Sequence, residues 1–201
     1  MIAVDWLIEM VSDPWLDRWT PLITERSGRA LVLEVGCGHG DDTVALTRAG
    51  LPVIAFDLSR ASVAAARLRA PSARIECRDI RDPFPEAASG LGVVVASLSL
   101  HYFPWTETQS IVERIRQVLR PGGVLLCRLN STQDSNFGAG AGTLIEDNYY
   151  LVDGQPKRFF DEESVSRLFQ AGWQRISLEH MTTRKYLRRK ALWEVVLERA
   201  G

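Results

Sequence analysis

Cysteine is scarce: Cys37, Cys77 and Cys127 are the only three in 201 residues. Such an odd, widely spaced set offers neither a disulfide framework nor metal-ligand spacing, so no metal is expected. Each lies in or beside an apolar run, where a free thiol packs as a small apolar group. Long apolar runs are lacking as well. None approaches the ~20 residues that cross a bilayer, and the N-terminus has no basic stretch leading into an apolar one, as a signal peptide would. The expected location is the cytoplasm, away from membranes. Neither sign of charge is in excess, since 24 Lys and Arg face 25 Asp and Glu for a net charge of −1. Nothing global draws such a chain to nucleic acid or to an anionic surface. A small molecule is the expected partner, with the protein itself a monomer or a homodimer. No compositional break appears either, which predicts a single domain over 1–201.

What is present is a succession of short apolar or β-branched runs at 31–35, 53–56, 74–77, 93–98 and 124–129. These read as buried strands. Helical stretches separate them, as the crossovers of a parallel sheet require, and the fold class is therefore α/β. The clearest helix spans 105–120, with Ile111, Val112, Ile115, Val118 and Leu119 on one face, Thr106 and Gln109 as a capping box, and Pro121-Gly122-Gly123 as its stop. A second starts at its cap Ser59, packs Ala64, Ala65 and Ala66 closely on the sheet, and ends before Pro71. Later, a helix over 161–171 precedes strands near 173–180 and 192–198, which read as a closing antiparallel pair.

Two segments follow the pattern less closely. Over 130–157 it dissolves into Ser, Asn, Gly and Asp, with Gly138, Gly140 and Gly142 spaced by single small residues. This predicts a long insertion loop, either a surface excursion or a lid with Tyr149 and Tyr150 over a ligand. Within 1–25, Trp6, Leu7, Met10 and Val11, then Trp15, Leu16 and Trp19, predict two short amphipathic helices that act as a lid or face the core.

The first strand delivers Glu34 into Val35-Gly36-Cys37-Gly38-His39-Gly40 and then into a helix opened by Asp41 and Asp42. Gly36, Gly38 and Gly40 let backbone approach a ligand and take positive φ, and the helix N-terminus offers unpaired N–H donors. A nucleotide-like cofactor is the natural guest. Asp57, followed by Leu58, ends the second strand, positioned to accept from both ribose hydroxyls. Asp79 ends the third, positioned to accept from an adenine amino group, with the Ile80 backbone beside it. All lie at carboxyl ends of parallel strands, where open α/β sheets bind ligands. A nicotinamide dinucleotide competes, because Asp57 follows Gly36 by a separation such a site would also show. Against it, the third small residue of the dinucleotide fingerprint is Asp41 here, a carboxylate that would face the pyrophosphate. A cofactor with no phosphate, bearing an ammonium and a sulfonium, suits Glu34 and Asp42.

Taken together, Leu33-Glu34-Val35-Gly36-Cys37-Gly38-His39-Gly40, Ile54-Ala55-Phe56-Asp57-Leu58-Ser59, Cys77-Arg78-Asp79-Ile80 and Leu119-Arg120-Pro121-Gly122-Gly123-Val124-Leu125-Leu126 resemble the class I S-adenosylmethionine-dependent methyltransferases. The match covers residues 30–130. Within that superfamily, the stretch from Ala96-Ser97 through Tyr102-Phe103, and Arg158-Phe159-Phe160-Asp161, are similar to small bacterial methyltransferases of the tellurite-resistance-like type. The resemblance implies a Rossmann-like three-layer sandwich with a seven-stranded, mostly parallel sheet and a reversed last strand. It implies S-adenosylmethionine as cofactor, with methionine-moiety contacts at Glu34 and Gly36, ribose contacts at Asp57, adenine contacts at Asp79 and Ile80, and further cofactor contacts at Ser97 and Leu98. Leu91-Gly92 stands where many relatives carry an acidic residue before the fourth strand. Ser97-Leu98-Ser99-Leu100 is not the Asn/Asp-Pro-Pro-aromatic motif of amide-directed enzymes, which disfavours methylation of an adenine, cytosine or glutamine amino group. Transfer to an O, N or S nucleophile of a small molecule is the expectation.

His101 follows the fourth strand, where a neutral imidazole is positioned to take the acceptor's proton as a catalytic base; the alternative is a structural or orienting histidine. Tyr102, Arg128, Asn130 and Arg158 are candidates for the acceptor side, the arginines suiting a carboxylate or phosphate unless they serve as salt-bridge partners. The basic run Arg184-Lys185-Tyr186-Leu187-Arg188-Arg189-Lys190 reads as a solvated hairpin tip, with an RNA contact as the alternative. Two other classes stay open: an NAD-dependent oxidoreductase and a non-catalytic adenosylmethionine-binding module.

Overall fold

Because successive residues of a strand face opposite ways, the apolar runs supply two cores, one on each side of a sheet. The computed structural model describes residues 13–184 and 188–201. Its elements run α1 (Thr20–Ser27), β1 (Val32–Val35), α2 (Asp41–Arg48), β2 (Val53–Asp57), α3 (Arg60–Arg69), β3 (Arg74–Cys77), β4 (Leu91–Ser97), α4 (Trp105–Val118) and β5 (Leu119–Asn130). There follow β6 (Thr143–Glu146), β7 (Tyr149–Val152), β8 (Gln155–Arg158), α5 (Glu162–Leu168), β9 (Trp173–Thr183) and β10 (Lys190–Arg199). The main sheet has seven strands in the order β3-β2-β1-β4-β5-β10-β9. Strands β1 to β5 are parallel, and β10 runs antiparallel to both β5 and β9. This is the Rossmann-like sandwich with a reversed last strand.

On one face Leu33, Val35, Ile54, Phe56, Val94 and Leu125 pack against Ile111, Val112 and Ile115 of α4 and Val165 of α5. On the other Val32, Val53, Val93, Val95 and Leu126 pack against Ile23 of α1, Leu46 of α2 and Val63 of α3. Trp15 and Leu16 belong to this second core, so the part of the N-terminal segment that is described faces inward. It forms a short 3-10 turn, Asp17–Trp19, and then α1. The helix expected around Trp6 and Met10 lies outside the described residues.

Several local expectations are corrected. Helix α4 begins at Trp105 without the capping box of Thr106 and Gln109: the Glu146 carboxylate, far along the chain, accepts the Trp105 N–H at 3.0 Å. Its end comes at Val118, because Leu119 already pairs with Leu91 of β4. Helix α5 is shorter than 161–171, with Asp161 and Ser164 as a reciprocal capping box. The insertion loop over 130–157 is in part a small antiparallel sheet in the order β6-β7-β8. Its turns are the residues that made the segment look irregular, Asn148 and Asp153 at positive φ and Gly154 beside them. Cys37 and Cys127 are buried as expected, but Cys77 is exposed at the edge strand β3. Among the described residues, no helix is long and apolar enough to cross a membrane.

Candidate functional site

Strand β1 ends in a turn that only glycine can make. Gly36 has φ +73°, and a Cβ there would lie 2.4 Å from the Ser99 Cβ. Gly40 has φ +84° and packs on Ala66 of α3, so α2 starts tight against its neighbour. Between them the Gly38 N–H donates to Asp57 Oδ2 at 2.9 Å, while the Ser59 N–H donates to Asp57 Oδ1 at 2.8 Å. Asp57 therefore ties the turn after β1 to the turn after β2, and each of its oxygens keeps a lone pair for a further donor. Leu58 beside it is 67% exposed, an apolar surface next to that carboxylate.

Glu34 is buried and accepts from Thr43 Oγ1 of α2 at 2.5 Å. The Cys37 thiol, between the two carboxylates, is pushed well up, first by burial and then by Glu34 and Asp57. The turn thus has two carboxylates beside it, Glu34 and Asp57, an arrangement that favours a cationic guest over a phosphate. Beyond the end of β3, Asp79 Oδ1 accepts the Arg81 N–H at 2.9 Å, and the carboxylate also meets the Arg81 guanidinium at 3.4 Å. Ile80 beside it is buried.

The residues after β4 form the third wall. Leu98 holds φ +54°, an uncommon conformation for a side chain of its size, with its N–H donated to the Arg128 carbonyl at 2.9 Å. Ser99, whose residue type alone signals no role, packs against Gly36. Its hydroxyl is buried beside Gly36 and, among the described residues, has no hydrogen-bond partner. His101 Nδ1 is likewise buried and unpartnered, and the ring lies 4.1 Å from that of Tyr102. Burial drives the His101 pKa well below its ordinary value, and Lys190 and Lys157 add to the effect. The imidazole is neutral at pH 7 but a weak base, better suited to accepting a hydrogen bond than to storing a proton.

The arginines need correction. Ser97, Arg128 and Glu194 stand in register across β4, β5 and β10 on one face of the sheet. Arg128 is 2% exposed, donates to Ser97 Oγ at 2.9 Å, pairs with Asp13 Oδ2 at 2.6 Å and lies under the Trp15 ring. Trp15 in turn donates its indole N–H to Asp42 at 2.8 Å, and Trp19 donates to Glu194 at 2.6 Å. The N-terminal segment thus clamps this polar row through Asp13 on Arg128, Trp19 on Glu194 and, beside it, Trp15 on one oxygen of Asp42. Arg158 is also buried, donating to the Phe103 and Asp147 carbonyls and to Glu146. It bolts the small sheet to the segment after β4. Asn130 donates weakly to the Arg158 carbonyl at 3.5 Å, leaving its own Oδ1 buried without a partner among the described residues. Tyr102 alone of the four acceptor-side candidates is exposed. Of the basic run, Lys190 is buried against Asp134 at 2.9 Å and is no part of a solvated tip. Residues 185–187 lie outside the described residues.

A family model described as a methyltransferase domain matches residues 32–123. The ubiquinone biosynthesis O-methyltransferase of Cronobacter sakazakii is 31% identical over 79% of this chain and 68% of its own length. A tRNA N(3)-cytidine methyltransferase of Xenopus tropicalis is 28% identical over 72% of this chain and 47% of its own. This chain spans 40% to 47% of the length of several curated relatives it matches. Among solved structures, an S-adenosylmethionine-dependent methyltransferase of Methanosarcina mazei superposes with a TM-score of 0.70 at 16% identity, over 85% of this chain and 92% of that one.

Proposed function

The chain belongs to the class I S-adenosylmethionine-dependent methyltransferases, and on that premise we propose that it methylates a small-molecule acceptor by in-line displacement. S-adenosylmethionine is its cofactor, and supplies an activated methyl group on a sulfonium. Glu34 and the glycine turn are assigned to the methionine end, where the carboxylates of Glu34 and Asp57 suit an ammonium and a sulfonium. Asp57 is assigned to the ribose, Leu58, Asp79 and Ile80 to the adenine, and Ser97 and Leu98 to the wall beside the reacting end. Since the leaving group is already activated, the protein's share is alignment and exclusion of water. His101, neutral and buried, is assigned to orienting the acceptor's proton.

The observation that carries the small-molecule reading is an open concavity of about 690 Å³ between the segment after β5 and the strands β7 and β8. That volume falls within the range of about 300–1,000 Å³ common to small-ligand sites. The protein is expected to act in the cytoplasm as a monomer or homodimer. The test incubates the protein and labelled S-adenosylmethionine separately with a metabolite extract below 1 kDa and with total tRNA. Adenosylhomocysteine release with the metabolites supports the reading, and release with tRNA alone would overturn it.

A further inference from the structure

Arg128 and Arg158 are spent inside the fold, yet the concavity after β5 has two other cations on its lining, Lys157 of β8 and Arg188 just before β10. We propose that this concavity is the acceptor site and selects a small molecule with an apolar body and a carboxylate or phosphate, which Lys157 and Arg188 hold. The inference rests on the small-molecule reading above. Phe137, Ala141 and Val152 provide the apolar wall, and among the described residues Asp153 is the only carboxylate on the lining. Among the described residues, neither Lys157 nor Arg188 makes an ion pair with a carboxylate.

The floor is built. Asp134, fully buried, takes the Lys190 ammonium at 2.9 Å and the Ala191 N–H at 3.1 Å, and Lys190 Nζ stands 4.5 Å from the Phe137 ring. Asn136 donates to the Arg189 carbonyl at 2.9 Å, which fixes the backbone beside Arg188. Lys157 and Lys190 repel each other, and both are felt at His101. Among the described residues Asp134 is paired with Lys190 and not with Lys157, and an oxyanion bound at Lys157 adds a charge-assisted hydrogen bond there. Strand β8 is also held to the segment after β4, through Arg158 to the Phe103 carbonyl and Tyr149 to the Tyr102 carbonyl. An anion gripped at Lys157 therefore lies on the His101 side of the molecule.

The test titrates the protein with phenylacetate, phenyl phosphate and the neutral phenylacetamide, followed by protein NMR with and without saturating adenosylhomocysteine. Either acid is expected to bind at least about tenfold tighter than the amide, the scale of one charge-assisted hydrogen bond. The better of the two acids identifies the head group. Lys157→Glu and Arg188→Glu are each expected to remove that preference while adenosylhomocysteine binds as before. Lys157→Met, which adds no charge, serves as the variant whose folding is least at risk. Equal binding of acid and amide, no binding of either acid, or acid binding untouched by all three substitutions would overturn the proposal. Failure of adenosylhomocysteine to bind would strike at the cofactor assignments alone, since the preference for acid over amide is read without it.

Discussion

At Gly36 the backbone conformation and the neighbouring side chain both demand hydrogen: φ is +73°, and an added methyl would meet the Ser99 Cβ at 2.4 Å. Gly36→Ala is expected to destabilise the fold by about 2–4 kcal/mol and to weaken adenosylhomocysteine binding at least tenfold, as read by urea unfolding and calorimetry. Gly36→Ala with Ser99→Gly should recover the steric part but not the conformational part. His101 makes a different kind of statement. Its folded pKa is held below the ordinary 6.5, so on acidification the unfolded chain takes up the proton first. Its contribution to stability is complete above about pH 6.5 and is lost as the pH falls towards the folded value, at up to about 1.4 kcal/mol per pH unit. Denaturant melts between pH 7 and 5 should show this slope, and His101→Asn should flatten it. An unchanged slope would mean that the ring is not buried as described.

On the scale of elements, the N-terminal segment acts through ion pairs whose partners are far apart in the chain. Asp13→Ala leaves the Arg128 guanidinium, 2% exposed, without its carboxylate, and is expected to cost about 3 kcal/mol. Asp13→Ala with Arg128→Met should cost less than Asp13→Ala alone, because no charge is then stranded. The same distance explains what was and was not legible in the sequence. Strands β1, β2, β4 and β5 are covered on both faces, so their runs are almost continuously apolar and could be read directly. Strands β6 to β8 are four residues each, with Leu144, Ile145 and Leu151 facing solvent, and their turn residues outnumber their pattern. The glycine turn and Asp57 were legible because they follow strands at fixed places. The fate of Arg128 was not, since Asp13 lies 115 residues away. Nor was the cap of α4, which Glu146 supplies from 41 residues further on.

For the molecule as a whole, a ligand that binds only the folded state adds its binding energy to stability. Adenosylhomocysteine at a hundredfold its dissociation constant is worth about 2.7 kcal/mol, which for a domain of this size raises the melting temperature by roughly 5–10 °C. Asp57→Ala should abolish most of that rise, as thermal scans with and without ligand will show. The place of β10 has a consequence in time. It separates β9 from β5, although β9 is made before it. During synthesis β9 must wait, on the order of one to three seconds, for the sixteen residues that complete β10. The two strands differ in what waiting would do to them. β9 is half-exposed even when folded and carries Gln174, Arg175, Ser177 and Glu179, while β10 is buried along most of its length. The more aggregation-prone strand is thus the later one off the ribosome, and emerges when both of the edges it joins already exist.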